Sequence, residues 1–232
     1  MLSDVMEDYL KAVYELQRDG ESPVGNSAVA EYLDVTSPTV TSMMEKLADR
    51  GLVTREKYAG VELTPEGETV AVEIIRHHRL LESFLVEQLD YEWTDVHDEA
   101  DVLEHHISEE LEARIAEALN DPRVDPHGDP IPAATLEPPG DDDAQPLSEF
   151  AVGDRVVVER VRDRDEEELQ YLSDAGIVPG RELVVTEQAP IGMVTVRHDD
   201  GEQHLPAAVA ANIGVSPADA TDSAGQPAEP GA

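Results

Sequence analysis

The N-terminal quarter of the chain distributes its apolar side chains in a way that predicts three short helices. Residues 4–19 place their apolar positions on one helical face, and residues 27–33 form a second short amphipathic segment. A third helix is predicted to begin at Ser37 and Pro38, because serine caps a helix start and proline fits its first turn. Gly51 is well placed to end that helix.

A β-hairpin is predicted directly after these helices, because residues 52–56 and 61–63 alternate like two short strands. Three helices followed by a hairpin is the order of a winged helix-turn-helix, which we assign to residues 1–64. In that fold the third helix enters the DNA major groove with its N-terminal end first. The candidate DNA contacts at this end are Thr36, Ser37, Pro38, Thr39, Thr41 and Ser42.

Two interpretations of these short side chains remain open. Their hydroxyls can reach phosphates and base edges, and Pro38 or Val40 can contact a thymine methyl group. Alternatively, the hydroxyls only cap the helix. Residues 36–60 hold four basic and three acidic side chains, a net charge of +1, whereas the whole chain carries −36. Because this segment lacks the negative charge of the rest of the chain, its composition favours contact with phosphates.

Longer apolar periodicities predict two further helices over residues 65–89 and 95–119, with Thr94 as the cap of the second. Their apolar faces exceed what one small winged helix can cover. We interpret the surplus as a homodimer interface in a helical domain that spans residues 65–120.

The second of these predicted helices carries metal-ligand side chains at same-face spacings: His97, Asp101, Glu104 and Ser108, with His105 beside them. An apolar face runs alongside, so burial makes unpaired charge costly there, and a divalent metal can satisfy such carboxylates and imidazoles. A solvated acidic face is the alternative, because the chain holds 52 Asp+Glu and 8 His. The preceding helix favours the metal, since His77, His78 and Glu82 repeat the pattern.

The remainder of the chain has a different character. Residues 121–146 are rich in proline and glycine and are predicted to be a linker. Residues 147–213 alternate like short strands around one helix, which predicts an SH3-like barrel. Residues 214–232 are expected to be a disordered tail. The fold class is therefore mainly α with a small β part: a winged helix-turn-helix and helical dimerisation domain, followed by an all-β barrel.

The amino-acid composition excludes several classes of protein and of functional site. A charge of −36 usually predicts repulsion from nucleic acid, but the acidic residues are spread along the whole chain, which favours adaptation to a very salty (halophilic) cytoplasm. The absence of cysteine excludes disulfides, thiolate zinc sites and thiol catalysis. We find no apolar run of membrane-spanning length and no signal-peptide pattern, and expect a soluble cytoplasmic protein.

Several short motifs in a fixed order carry a family resemblance. They are Tyr9-Leu10 with Tyr14-Glu15-Leu16, Ser37-Pro38-Thr39-Val40, Leu63-Thr64-Pro65-Glu66-Gly67, His78-Arg79-Leu80-Leu81-Glu82, Val96-His97-Asp98-Glu99-Ala100, Glu104-His105, and Gly128-Asp129-Pro130-Ile131-Pro132. In this order the chain resembles the diphtheria-toxin-repressor family of iron- and manganese-dependent repressors. The resemblance covers nearly everything from Asp4 to Ile213 and includes a C-terminal, ferrous-transport-associated SH3-like domain.

The resemblance implies two metal sites in each subunit and DNA reading by Thr36, Pro38 and Ser42. The regulatory site would take Asp8, Asp101, Glu104 and His105. The ancillary site would take His78, Glu82, His97, Asp165 and Glu168.

The iron branch of the family has methionine and cysteine at the positions of Asp8 and Asp101, whereas the manganese branch has carboxylates there. The manganese branch also has a glutamate one turn after Asp8, where this chain has Lys11. Loss of both sulfur donors favours a harder ion, so Mn²⁺ is expected over Fe²⁺.

The implied function is metal-dependent repression of metal-uptake genes by a homodimer on double-stranded operator DNA, with no membrane and no small organic substrate as a partner. Two alternatives stay open at this point. One is a winged-helix regulator that responds to another signal, with idle acidic and histidine clusters. The other is a di-metal oxidase or storage protein, although no nucleophile–base pair stands out and we expect no enzyme.

Overall fold

The computed structural model describes residues 2–56, 59–140, 144–162 and 166–218. The chain forms two compact units, residues 1–141 and 142–232. None of the helices in the described ranges is long and apolar enough to cross a membrane.

The first unit opens with a winged helix-turn-helix, as predicted. Its elements are α1 (Asp4–Arg18), α2 (Asn26–Tyr32), α3 (Ser37–Asp49), β1 (Val53–Glu56) and β2 (Gly60–Leu63). The two strands pair antiparallel, with Val53 opposite Leu63. Leu10, Met44 and Leu47 are fully buried in the core that the three helices share. Burying these apolar faces holds α3 at a fixed angle to the hairpin.

Helix α4 (Pro65–Leu89) connects this domain to the metal-binding elements. Thr64 caps it by accepting a hydrogen bond from the backbone N–H of Gly67 at 3.1 Å. Its first half packs Val72 and Ile75 into the winged-helix core, and its second half packs Leu80 into a separate apolar cluster. One helix therefore joins both cores.

The single helix predicted over residues 95–119 is wrong, because two shorter helices stand in its place. They are α5 (His97–Leu103) and α6 (Glu109–Ala118). The N-cap position of α5 is Val96 and not Thr94, whose hydroxyl bonds to the Asp95 carboxylate instead. Ser108 does not share a face with the ligand-type residues of α5, because its hydroxyl caps α6 by accepting from Leu111 N–H.

Part of the predicted linker is folded onto the helices. Ile131 is buried against α4 and α6. Arg76 donates to the carbonyl of Pro132 at 2.6 Å, and Arg79 donates to that of Pro130 at 2.7 Å. These hydrogen bonds fix backbone groups that a free linker would leave to water.

The second unit is a six-stranded antiparallel sheet with strand order β3-β8-β4-β5-β6-β7. Its elements are β3 (Gln145–Pro146), β4 (Arg155–Val161), α7 (Glu166–Asp174), β5 (Glu182–Ala189), β6 (Met193–His198), β7 (Gly201–Pro206), α8 (Ala207–Ala211) and β8 (Ile213–Pro217). The predicted tail begins too early, since residues 214–217 belong to β8, where residues 214–215 pair with β3 and residues 214–217 pair with β4.

Candidate metal centre and nucleic-acid interface

The buried polar face of α4 forms one wall of the candidate metal centre. His77, His78 and Glu82 are all buried, and Glu82 is fully so. His77 donates from Nδ1 to the backbone carbonyl of Glu104 at 3.0 Å, which anchors the end of α5 to α4. Polar groups at such depth require partners, and α1, α5 and the segment after α5 supply them.

The first ligand cluster joins Asp8 of α1 to Glu104 and His105. Nε2 of His105 lies 2.9 Å from the Asp8 carboxylate and 3.5 Å from that of Glu104. One ligand atom from each residue lies within 4.8 Å of the others. The structure thus brings together three of the four predicted regulatory ligands.

The chemistry of this cluster fits a divalent cation. Burial raises the pKa of Asp8, and the neighbouring Glu104 carboxylate opposes the lowering effect of His105. Glu7, which sequence reasoning missed, accepts a hydrogen bond from His105 Nδ1 at 2.8 Å. That bond orients the ring so that Nε2 faces Asp8, as carboxylates commonly do for metal-binding histidines.

Asp101, the fourth predicted regulatory ligand, lies in a different cluster. Its carboxylate is 3.2 Å from His78 Nδ1 and 3.6 Å from His97 Nε2, and these three residues also bring ligand atoms within 4.8 Å. The reason is helical geometry: Asp101 follows His97 by one turn, so α5 directs both towards α4.

Lys11 occupies the centre of the polar network, and no sequence pattern indicated this. Its Nζ donates to Asp101 at 2.9 Å and to Glu104 at 2.8 Å, and it lies 3.1 Å from His78 Nδ1. Burial alone would lower the pKa of Lys11, but the carboxylates of Glu104 and Asp101 raise it above its ordinary value. The ammonium is therefore a fixed positive charge.

The pKa values of the two carboxylates that accept hydrogen bonds from Lys11 shift in the opposite direction. Burial would raise the pKa of Glu104, but a hydrogen bond from His78 and the charge of Lys11 lower it below its ordinary value. The same groups lower the pKa of Asp101 despite its burial. Both carboxylates are thus ionised and available to cations.

Three of the predicted ancillary ligands lie together. His78 Nε2 is 2.9 Å from Glu82 Oε1, and His97 Nδ1 is 3.3 Å from the same oxygen. Burial would raise the pKa of Glu82, but the His78 charge lowers it well below its ordinary value. Asp165 lies outside the described residues. Glu168 lies on α7, where its carboxylate accepts from Asn212 at 2.9 Å, and its ligand role stays a prediction.

A third buried cluster, Glu82 with Asp125 and His127, was also missed. His127 Nε2 donates to the carbonyl of Trp93 at 2.8 Å, and its Nδ1 lies 3.5 Å from Glu82. Asp125 accepts from the backbone N–H groups of His127 and Asp129. The proline and glycine content of this segment had pointed to a linker; the histidine and aspartate in it were the available signal.

The N-terminal end of α3 presents the predicted DNA-contacting residues with one exception. Thr36, Ser37, Pro38, Thr39 and Ser42 are exposed. Thr41 is half-buried, and its hydroxyl donates to the Ser37 carbonyl and accepts from Asn26. Val40 is fully buried in the winged-helix core, so the expected thymine contact from Val40 is wrong.

Family models match three consecutive parts of the chain. Residues 1–61 match the iron-dependent repressor N-terminal DNA-binding domain, and residues 64–133 match the iron-dependent repressor metal-binding and dimerisation domain. Residues 145–217 match the FeoA domain.

Whole-chain relatives agree with these matches. The iron-dependent repressor IdeR of Mycobacterium tuberculosis is 36% identical over 206 residues, which cover 84% of this chain and 89% of the relative. The diphtheria toxin repressor of Corynebacterium glutamicum is 33% identical over 214 residues, covering 88% and 92%.

The chain belongs to the iron-dependent repressor family. Its members are metal-dependent, DNA-binding transcriptional repressors and not enzymes, so the oxidase alternative is set aside. Among solved structures, a manganese-dependent transcriptional repressor in complex with manganese has a TM-score of 0.85 and 38% identity, covering 92% of this chain and 100% of its own. The manganese regulator SloR follows with a TM-score of 0.78 and 34% identity, covering 92% and 98%. Iron and manganese regulators are thus both similar to this family member.

Proposed function

We propose that this family member represses metal-uptake genes when Mn²⁺, or less readily Fe²⁺, binds Asp8, Glu104 and His105. The observation that carries the proposal is the position of Asp8 on α1 of the DNA-binding domain, within reach of two ligands that follow α5. A bound divalent cation would offset the mutual repulsion of the Asp8 and Glu104 carboxylates. Ligands from both domains would then favour one orientation of α3.

Manganese is favoured over iron on ligand chemistry. The cluster offers carboxylate and imidazole donors and no sulfur, which suits a harder ion. The likeness to a manganese-dependent repressor that was solved with manganese supports the same choice.

The proposed partners are a second copy of the chain and double-stranded operator DNA, in the cytoplasm. Large apolar side chains that remain exposed on the helical part support a homodimer: Leu89, Tyr91, Val102 and Leu111. Twofold readers place two recognition helices about one DNA turn apart. The contacts would come from Thr36, Ser37, Pro38, Thr39 and Ser42, with Thr41 supporting the helix start.

The test compares His105→Ala with His106→Ala. His105 lies in the cluster, whereas the neighbouring His106 is exposed. The probe is a DNA duplex selected from a random pool by the wild-type protein with Mn²⁺, and binding is measured by fluorescence anisotropy during a Mn²⁺ titration. We expect Mn²⁺ to tighten wild-type and His106→Ala binding by about 5–150-fold, a typical allosteric coupling. His105→Ala should lose the response while keeping its circular dichroism spectrum.

Two results would contradict the proposal. One is a His105→Ala response at the wild-type metal midpoint, which would place the regulatory ion elsewhere. The other is wild-type DNA binding that is unchanged by a chelator, which would make the chain a regulator of another signal.

A further inference from the structure

The carboxylate of Glu104 faces two separate cation positions. Its Oε1 points to His105 in the cluster with Asp8, and its Oε2 lies 2.8 Å from the Lys11 ammonium and 2.5 Å from His78 Nδ1. Glu104 is 1% exposed, so both oxygens require partners within the protein. The two positions therefore share one bridging carboxylate.

The second of these positions is surrounded by metal-ligand groups. Asp101, Glu104 and His78 each bring an oxygen or nitrogen atom within 3.1 Å of Lys11 Nζ. Two carboxylates and an imidazole are a donor set for a divalent ion, yet the positive charge among them is the chain's own. The lysine side chain is only 16% exposed, which limits its replacement by solvent.

We propose that the Lys11 ammonium is a built-in substitute for a second divalent ion, so that the regulatory centre takes one metal ion next to a permanent cation. The proposal rests on the function proposed for Asp8, Glu104 and His105. Lys11 belongs to α1, whereas Asp101 and Glu104 belong to α5 and the residues after it. The ammonium thus already ties the DNA-binding domain to the metal-binding elements, and one ion completes the link.

A single-ion centre has a consequence for regulation. Two ions that share a carboxylate influence each other's binding, whereas one ion beside a fixed ammonium has no partner to cooperate with. Mn²⁺ binding that depends on His105 is therefore expected to follow a simple one-site curve in each subunit.

The experiment replaces Lys11 by a metal ligand. Lys11→Glu would leave Asp101, Glu104, His78 and a new carboxylate around the vacated cation position. Bound Mn²⁺ is counted by equilibrium dialysis, and its magnetic state is read by electron paramagnetic resonance. We expect Lys11→Glu to bind one more Mn²⁺ ion per chain than the wild type. The added ion should couple magnetically to the first through Glu104, with loss of the isolated six-line signal.

Lys46→Glu is the matched control, since it makes the same charge change at an exposed lysine on α3. It should bind the wild-type number of ions without coupling. Lys11→Met, which removes the ammonium without adding a carboxylate, should also take the added ion, but more weakly. If Lys11→Glu does not fold, the number of Mn²⁺ ions bound by Lys11→Met tests the proposal instead.

The outcomes separate this inference from the proposed function. Wild-type counts in Lys11→Glu and Lys11→Met, or a coupled Mn²⁺ pair already in the wild type, would overturn the role of Lys11 and leave the regulatory site intact. Mn²⁺ binding that is the same in His105→Ala as in the wild type would overturn the regulatory site itself.

Discussion

At the scale of single residues, Glu104 explains how a strongly charged centre can lie inside the fold. An isolated buried carboxylate is very costly, and it persists only where cations and hydrogen bonds compensate it. Lys11 and His78 supply that compensation on one oxygen, and His105 faces the other. The centre is therefore held in shape by ion pairs before any metal binds.

The packing of α4 against the segment before it depends on the absence of a side chain at Gly67. A Cβ atom added there would lie 1.9 Å from the carbonyl oxygen of Leu52, which belongs to rigid backbone. Gly67→Ala should lower the free energy of unfolding by at least about 1–3 kcal/mol, as overpacked sites do, outweighing a helix-propensity gain of up to about 1 kcal/mol. Urea denaturation measures this. Gly140→Ala is the control, because a Cβ there meets nothing within 4 Å. Equal midpoints for both variants would show that Leu52 moves away freely.

At the scale of elements, the start of α4 depends on a threonine side chain with two bonds. The Thr64 hydroxyl donates to the Gly51 carbonyl at 2.8 Å and accepts from Gly67 N–H at 3.1 Å. Thr64→Ala should therefore cost about 0.5–2 kcal/mol, the usual effect of losing an N-cap. Thr69→Ala, five residues later on the exposed face of the same helix, should be neutral or slightly stabilising, because alanine favours helix. Thermal unfolding of both variants checks the contrast, and equal losses would argue against a capping role for Thr64.

The same element shows what sequence can predict. Thr64, Pro65 and a long apolar periodicity set both ends of α4 correctly, because these signals are local. The break between α5 and α6 was missed because apolar positions continue across it with nearly helical spacing. Ser108 followed by acidic residues was the signal of a new helix start.

The candidate metal centre was predictable to the extent that its ligands share a helix. His78 with Glu82, and His97 with Asp101, are one turn apart, so periodicity alone groups them. Lys11 and Glu7 contact ligands ninety or more positions away in the chain, and only the tertiary fold brings them there. The family resemblance predicted Asp8 as a metal ligand, but it did not predict that Lys11 lies among the ligands.

At the scale of the whole molecule, a charge of −36 must coexist with binding to a polyanion. The exposed end of α3 offers hydroxyl and apolar groups, and one of the few cations nearby, Arg55, is paired with Glu45 at 3.3 Å. We therefore expect recognition to depend little on phosphate neutralisation. This is the arrangement expected of a protein that works in concentrated salt, where the Debye length falls to about 3 Å at 1 M.

Operator binding should therefore weaken only slightly as salt rises. A reader with 6–10 phosphate contacts loses about 10³–10⁵-fold in affinity between 50 and 200 mM salt, with a log–log slope of about −0.9 per contact. Few basic side chains lie near the N-terminal end of α3 in the described part of the chain, and its acidic surface is expected to take up cations on approaching DNA, so the affinity should fall about tenfold or less over that range. The measurement is anisotropy on the selected duplex at saturating Mn²⁺, from 50 mM to molar KCl.

Releasing Arg55 from its ion pair tests the expected salt dependence of DNA binding within the same protein. Glu45→Gln releases Arg55 from its ion pair, so one more phosphate can be neutralised and the slope should steepen by up to about 0.9. Glu68→Gln removes the same charge from an exposed position on α4 and should leave the slope unchanged. A steep wild-type loss of affinity, like that of a basic repressor, would contradict both the adaptation to salt and the leading role of Thr36, Pro38, Thr39 and Ser42 in recognition. Steepening in Glu68→Gln as well would mean that overall charge, and not the pairing of Arg55, sets the response.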